Sequence, residues 1–200
     1  MGTLVAVNEM LTAAGLSAVA DHDPSPNADC TLAVDTLTRV SRHVQEMGWD
    51  FNTEHDVLID PDNDGKLYTA ADHLRVIPDR RFATLDLVRR AQTAGGALYL
   101  YSRKLKTFVV DQDVYVTLVR YYDFEDIPPH LQNFIAAEAA VQFYHNVHGV
   151  ETTDRELIRR RNDAWASVLD ADAEETGSNM LLDNALAREI SGRNGRLLGI

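Results

Sequence analysis

The stretch that decides the fold is NADCTLAVDTLTRVSRHVQEMG, residues 27–48. Within it Cys30, Ala33, Leu37, Val40, Val44 and Met47 recur at alternating steps of three and four, a heptad-type seam down one side of a helix. Asn27 or Ser25 can cap the first turn with a side-chain oxygen. Gly48 can take the left-handed conformation that ends a helix. The spacing therefore predicts a helix over 28–47, with Arg39, Arg42 and Glu46 off the seam. Cys30 sits on the seam and reads as a small core residue rather than a nucleophile. Such a helix is not stable alone in water, so other apolar seams must cover it.

Those seams come from both ends of the chain. Leu4, Val7, Met10, Leu11 and Ala14 share one face of a predicted short helix over 3–14, stopped at Gly15. Residues 21–27, with two prolines, form a loop. Pro128 and Pro129 open a third helix, with Asp126 as its expected cap. From Leu131 to Val147 this helix has little polar surface and so should be central. Gly149 ends it. Thr153 to Glu156 has a capping-box pattern and predicts a fourth helix over about 154–175. In that helix Arg155, Arg159, Arg160 and Arg161 come first and Asp170, Asp172, Glu174 and Glu175 last, an order that opposes the helix dipole. Some of those arginines should find partners on another element.

Between the helices the period changes. Residues 57–59, 66–69, 74–77, 97–101, 107–110 and 114–121 are short β-branched and aromatic runs between turn signals. The last three read as a hairpin meander after Gly95 and Gly96, and 82–94 fits no single element. The fold expected is α+β: an antiparallel helical bundle from the N- and C-terminal helices (1–48 and 127–176), a β-rich middle insertion (49–126) and an extended C-terminal arm (177–200). The arm is glycine-dotted and locally basic, with Arg188, Arg193 and Arg196 among leucines.

The 200 residues carry 31 Asp and Glu against 19 Lys and Arg, a formal charge of −12, which argues against broad phosphate-backbone binding. An acidic wall past which DNA slides without sticking remains compatible. Hydrophobic residues at 45% and charged residues at 25% are those of a globular chain. No apolar run approaches the ~20 residues of a membrane span. The first apolar residues follow no basic region, so no secretory signal is expected. With Cys30 the single cysteine, neither an intrachain disulfide nor a thiolate zinc site can form. The expected compartment is the cytosol, or a particle assembled there.

Three constellations could carry chemistry. Asp60, Asp62 and Asp64 followed by Gly65 match the first half of a calcium loop, but its twelfth position, which needs a bidentate glutamate, is Ala71. A polar turn between strands is the favoured reading. His145 and His148 lie one turn apart without the glutamate base and third ligand of a zinc hydrolase. Glu138, alone amid the apolar third helix, could be a raised-pKa acid, but an ion pair with a fourth-helix arginine is favoured. Tyr99, Tyr101, Tyr115, Tyr121 and Tyr122 suit strand packing or a protein interface. No phosphate-binding loop or nucleophile elbow occurs. The sequence thus predicts no catalytic, cofactor-binding or metal-binding residue, no cofactor, and a structural protein rather than an enzyme.

Several stretches, in order, are those of one family: residues 4–11 with Gly15; Asn27, Ala28 and Asp29 leading into the long helix; Gly48-Trp49-Asp50-Phe51-Asn52; residues 120–128; Ala139 to Phe143; and Ser178 to Leu181. In these the chain resembles the tail tubular protein A family of short-tailed, podovirus-type bacteriophages, the head-to-tail adaptors. The Gly-Trp-x-Phe-Asn element is the most specific piece. The resemblance implies a virion tail protein assembled in the host cytoplasm. It implies a dodecameric ring under the portal protein, extending the channel for genomic DNA and docking the tail nozzle protein (tail tubular protein B type) and tail fibres. It implies that the C-terminal segment reaches the portal, and it transfers no catalytic residues. The alternatives are a connector or head-completion protein of a long-tailed phage and, from another class, a small calcium- or metal-binding module or enzyme built on Asp60, Asp62 and Asp64 or on His145 and His148.

Overall fold

The structure, a computed structural model, describes residues 1–21, 27–149 and 154–183, with the backbone alone from 175 onward. The chain is mixed α+β. Helices α1 (Thr3–Ala13), α2 (Ala28–Glu46), α3 (Pro129–His148) and α4 (Arg155–Asp183) enclose in sequence six strands: β1 (Thr53–Ile59), β2 (Tyr68–Thr69), β3 (His73–Pro78), β4 (Leu87–Ala91), β5 (Leu98–Ser102) and β6 (Val114–Arg120).

The expected seam of α2 is buried from Cys30 through Ala33, Leu37, Val40 and Val44. Met47 departs from it: it lies just past the helix, 47% exposed. Asn27 caps α2 as expected, its Oδ1 accepting from the amides of Asp29 (3.0 Å) and Cys30 (3.3 Å). Helix α3 packs against α1, α2 and α4, which explains why so little of it is polar. Its core residues include Leu131, Phe134, Ile135, Ala139 and Phe143. No side chain caps α3; its amino end starts at Pro128, so the expected Asp126 cap does not form. The cap of α4 is Asp154, whose Oδ1 accepts from Glu156 N at 2.8 Å; Thr153, the expected capping-box residue, lies outside the described residues. Arg161 faces Glu138 and Trp165 faces Phe134, so α4 runs antiparallel to α3.

The strands form two three-stranded antiparallel sheets, ordered β1-β6-β3 and β2-β5-β4. Leu58 pairs with Tyr115 and Val76 with Leu118 in the first; Arg89 pairs with Leu100 and Thr69 with Leu98 in the second. Ile59, Leu67, Leu87, Leu100, Val114 and Leu118 belong to a core of their own. The expected meander through 97–121 is not the one built. Strand β5 pairs with β2 and β4, whereas β6 pairs with β1 and β3. Residues 107–110 make only isolated bridges, Thr107 to Ser102 and Val109 to Lys66. Asp111 turns the chain away with φ 52°, and the amides of Val110 and Asp111 both donate to Gly65 O. Strand β6 carries inward Val114, Val116 and Leu118, and a central position covers both its edges. The unassigned stretch 82–94 holds the end of a short 3-10 helix, Arg80–Leu85, and strand β4.

Helix α4 runs through Gly177 to Asp183 instead of ending near 175. The remainder of the expected arm, 184–200, lies outside the described residues.

Candidate assembly surfaces

Where the helices meet the sheets, the chain spends its buried polar groups. Gly48 ends α2 with φ +83°, and a Cβ there would stand 3.2 Å from Val119 Cγ2 and 3.5 Å from Thr53 Oγ1. A side chain would therefore suffer both the left-handed backbone and the contact. Directly after it, Trp49 N donates to Asn52 Oδ1 at 2.8 Å, and Trp49 Nε1 donates to Val44 O at 2.8 Å. Asn52, 1% exposed, donates through Nδ2 to Gln45 O (3.0 Å) and Arg120 O (2.8 Å). Gln45, fully buried, donates to Tyr122 O (2.9 Å) and accepts from Tyr122 N (2.8 Å). Two amide side chains thus tie α2 to the end of β6 with every polar atom used, which is what makes a buried polar joint specific rather than costly. Arg75 on β3 adds a donor to Met47 O at 3.2 Å, among the carbonyls that the end of α2 leaves open. Trp49 then packs edge-on to Trp165 of α4, which leans on Phe134.

A second clamp lies within the β unit. Arg89 on β4 donates to Thr69 Oγ1 (3.0 Å), Ala70 O (2.6 Å) and His73 O. This joins one sheet to the strand entering the other. Burial pulls its guanidinium below the ordinary arginine pKa, with Arg42 nearby adding to the effect. His73, nine-tenths buried, has no hydrogen-bond partner at Nδ1 among the described residues, and burial holds its imidazole below the ordinary value. Asp72 and Glu54 act in the opposite sense, while Arg120 and Arg89 reinforce the lowering.

The residues singled out in the sequence fall elsewhere. Cys30 is core. Asp62 Oδ1 accepts from the amides of Asp64 and Lys66, both at 2.9 Å, and Gly65 has φ +73°, so this carboxylate organises a tight turn. Lys66 Nζ lies 3.3 Å from Asp64 Oδ2. His148 Nε2 is 3.1 Å from Ala14 O and its ring packs on Tyr144, so it fastens α3 to the end of α1. Glu138 has its arginine: Arg161 at 3.8 Å, with Gln142 Nε2 donating at 2.8 Å. Arg160 reaches Glu9 at 3.2 Å, so arginines of α4 do have partners on other helices. Among the described residues no three His, Cys, Asp or Glu side chains converge as a metal site would require.

Sequence reasoning missed Gln45, Arg89 and His73. Gln45 adjoins the seam residue Val44, and nothing in the spacing marks it as buried. Asn52 was within reach, as the last residue of the Gly-Trp-x-Phe-Asn element.

A family model described as tail tubular protein matches residues 4–178, which includes the Gly48–Asn52 joint and nearly all of the described chain. The chain belongs to the tail tubular protein family. Among curated proteins no sequence matches it. As a tail tubular protein it is a structural component of the phage tail. Among the described residues, no helix is long and apolar enough to cross a membrane. The surface features of this tail tubular protein are shallow and open. A cleft of about 410 Å3 lies between α1, α2 and the segment after β6, with Leu37, Phe124 and Glu125 in its lining. A groove of about 440 Å3 follows the outer side of α2 past Arg39 and Arg42. Both are open at the surface rather than enclosed.

Proposed function

We propose that this tail protein is the ring-forming head-to-tail adaptor of a short-tailed phage. It joins the portal to the tail nozzle, extends the DNA channel and supports tail fibres. The observation that carries the reading is the joint at Gln45, Gly48, Trp49 and Asn52. It locks the helices to the sheets through fully paired buried amides, so that each subunit enters an assembly as one stiff piece. A rigid subunit with separate helical and β faces has one surface for neighbours and another for the next tail component. The division proposed is helices from 1–48 and 127–176, a β unit from 49–126 and a terminal arm toward the portal, whose residues up to Asp183 continue α4. The net charge of −12 suits a channel through which DNA moves without being held. We assign no catalytic, cofactor-binding or metal-binding residue, because the polar side chains with the most distinctive environments are spent on backbone groups.

The test is direct. The purified chain is mixed with its portal protein and imaged by negative-stain electron microscopy, with stoichiometry taken from native mass spectrometry. Rings of twelve copies capping the portal are expected. A chain that binds only a preformed tail tube, and never the portal, would reverse the assignment in favour of a more distal tail component.

A further inference from the structure

The sheet β2-β5-β4 has an aromatic outer face that the described residues leave uncovered. Thr69, Leu87, Leu100 and Ser102 are buried on its inner side. Alternation sends Tyr68, Val88, Arg90, Tyr99 and Tyr101 to the other side. The register sets Arg90, Tyr99 and Tyr68 opposite one another across the three strands, with Val88 opposite Tyr101 in the next row. The Tyr68 and Tyr99 ring centroids are 5.8 Å apart, Phe108 lies 4.8 Å from Tyr101, and the Arg90 guanidinium stands 5.1 Å from the Tyr101 centroid. Tyr68 is 50% exposed, Arg90 is exposed, and Val88, Tyr99, Tyr101 and Phe108 are only partly covered. Among the described residues Arg90 has no ion pair, and the hydroxyls of Tyr68, Tyr99 and Tyr101 have no hydrogen-bond partner. The carboxylates at the borders are already paired, Asp86 with Arg103 at 2.6 Å and Asp64 with Lys66 at 3.3 Å. The face is therefore net cationic on a chain of charge −12. Tyrosines grouped around an arginine are the composition of an interface centre.

A segment of matching chemistry precedes α2. Residues 21–27 read Asp-His-Asp-Pro-Ser-Pro-Asn, of which 22–26 lie outside the described residues. Asp21, Asp23 and Asp29 make this stretch acidic. Each proline fixes its own φ and biases the residue before it toward extended backbone, so Asp23–Pro26 has little entropy to lose when held extended against a surface. Proline rings pack on aromatic faces in the recognition of such segments. The other prolines beside carboxylates are committed inside the fold. Asp62 and Asp79 accept from backbone amides of their own turns, and Glu125 O and Ile127 O hold Gln132. In its own chain the 21–27 stretch is out of reach of the aromatic face. It is tethered at Val19, whose N and O bond Asn8, and at Asn27, which caps α2. Between those anchors a doubled-back chain reaches at most ~14 Å. Helix α2 meets the strands at its other end, from Gln45 to Gly48, about 27 Å along the axis at ~1.5 Å per residue.

We infer that the Asp23–Pro26 segment of one copy docks on the Tyr68, Tyr99, Tyr101 and Arg90 face of the next copy. Pro24 and Pro26 pack on the tyrosine rings, and Asp23 pairs with Arg90, which sets register as well as affinity. The contact joins two different surfaces, so it is heterologous and generates a ring if the rotation closes. This deepens the adaptor reading and rests on it: it names which parts of the chain make the neighbour contact.

The test is a charge swap followed by self-association, measured by analytical ultracentrifugation and by ring formation on the portal. Arg90→Glu and Asp23→Arg should each raise the dissociation concentration about tenfold or more, because like charges then face one another. An equimolar mixture of the two variants should restore assembly, since each offers the other a matched pair in an alternating ring. A synthetic peptide of residues 19–29 added in excess to the wild-type chain should shift it toward monomer, which keeps the test decisive even if a variant folds poorly. Wild-type assembly in both variants, a mixture that fails to recover, or a peptide without effect overturns the inference and leaves the ring intact as a reading. A wild-type chain that stays monomeric with and without portal overturns both. Intact rings that lose the tail nozzle protein in Arg90→Glu would overturn the inference by assigning the face to the nozzle.

Discussion

Replacing Asn52 by alanine removes three hydrogen bonds at once: from Trp49 N at 2.8 Å, to Gln45 O at 3.0 Å and to Arg120 O at 2.8 Å. The three losses are unequal. Gln45 O still accepts from Gly48 N at 3.2 Å. A hydrogen bond lost from a group that keeps another partner costs ~0.5–1.5 kcal/mol, whereas a donor left buried and unpaired costs ~1–3 kcal/mol. Trp49 N is in the second class. With the two carbonyl losses in the first class, the sum is about 2–6 kcal/mol, against a whole-domain stability of ~5–15 kcal/mol. For a chain of this size, that is a fall in melting temperature of roughly 4–24 °C. Urea denaturation followed by tryptophan fluorescence is the right assay, because Trp49 is at the joint. Asn52→Asp is the sharper control: it keeps the acceptor for Trp49 N but loses both donors and brings a carboxylate toward two carbonyls, so it should be at least as damaging. A loss below about 1 kcal/mol for Asn52→Ala would refute the view that the joint holds helices and sheets together.

Other substitutions probe other layers. Leu37→Asp or Val40→Asp, at 2% and 3% exposure, should leave no soluble folded protein, since an unpaired buried charge costs several kcal/mol; normal melting of either variant would place the seam on the wrong face. Asp60, Asp62 and Asp64 changed together to Asn should leave assembly unchanged with or without chelator, because the Asp62→Asn change keeps a side-chain oxygen where the turn needs its acceptor; a calcium-dependent rise in melting temperature confined to the parent would revive the calcium loop. His73 makes stability pH-dependent. Burial holds its folded pKa below the unfolded value of ~6.5, so the unfolded chain binds the proton more readily, and stability present above that pH is lost as pH falls through and below it. His73→Gln should flatten that part of the pH profile of urea midpoints, and an unchanged slope would show that Asp72 and Glu54 cancel the effect of burial.

Periodicity, with proline and cap signals, located the four helices of the described residues and the seam of α2 as far as Val44; it left Asn27 or Ser25 as the cap and favoured an ion pair for Glu138, and the structure has Asn27 and Arg161 in those roles. These are local or nearly local facts. A 3-4 repeat can bury one helical face only in one way, and a lone carboxylate on an apolar helix must find a cation or give up its charge. Six short apolar runs declared a β region for the same reason. Pairing was not legible, because alternation says which side of a strand is apolar but not which strand lies beside it. Thr107–Val110 is as β-branched and aromatic as a strand should be, yet the left-handed turn at Asp111 and the amides given to Gly65 O take it out of any sheet. Burial of Val114, Val116 and Leu118 drew β6 to the middle of one sheet and away from its sequence neighbour β5. The joint was half legible: the Gly-Trp-x-Phe-Asn element stood out, while Gln45, 77 residues from Tyr122, did not. A polar side chain beside a seam is solvated or buried according to whether a distant backbone arrives to use its amide, and only the tertiary structure brings Tyr122 there.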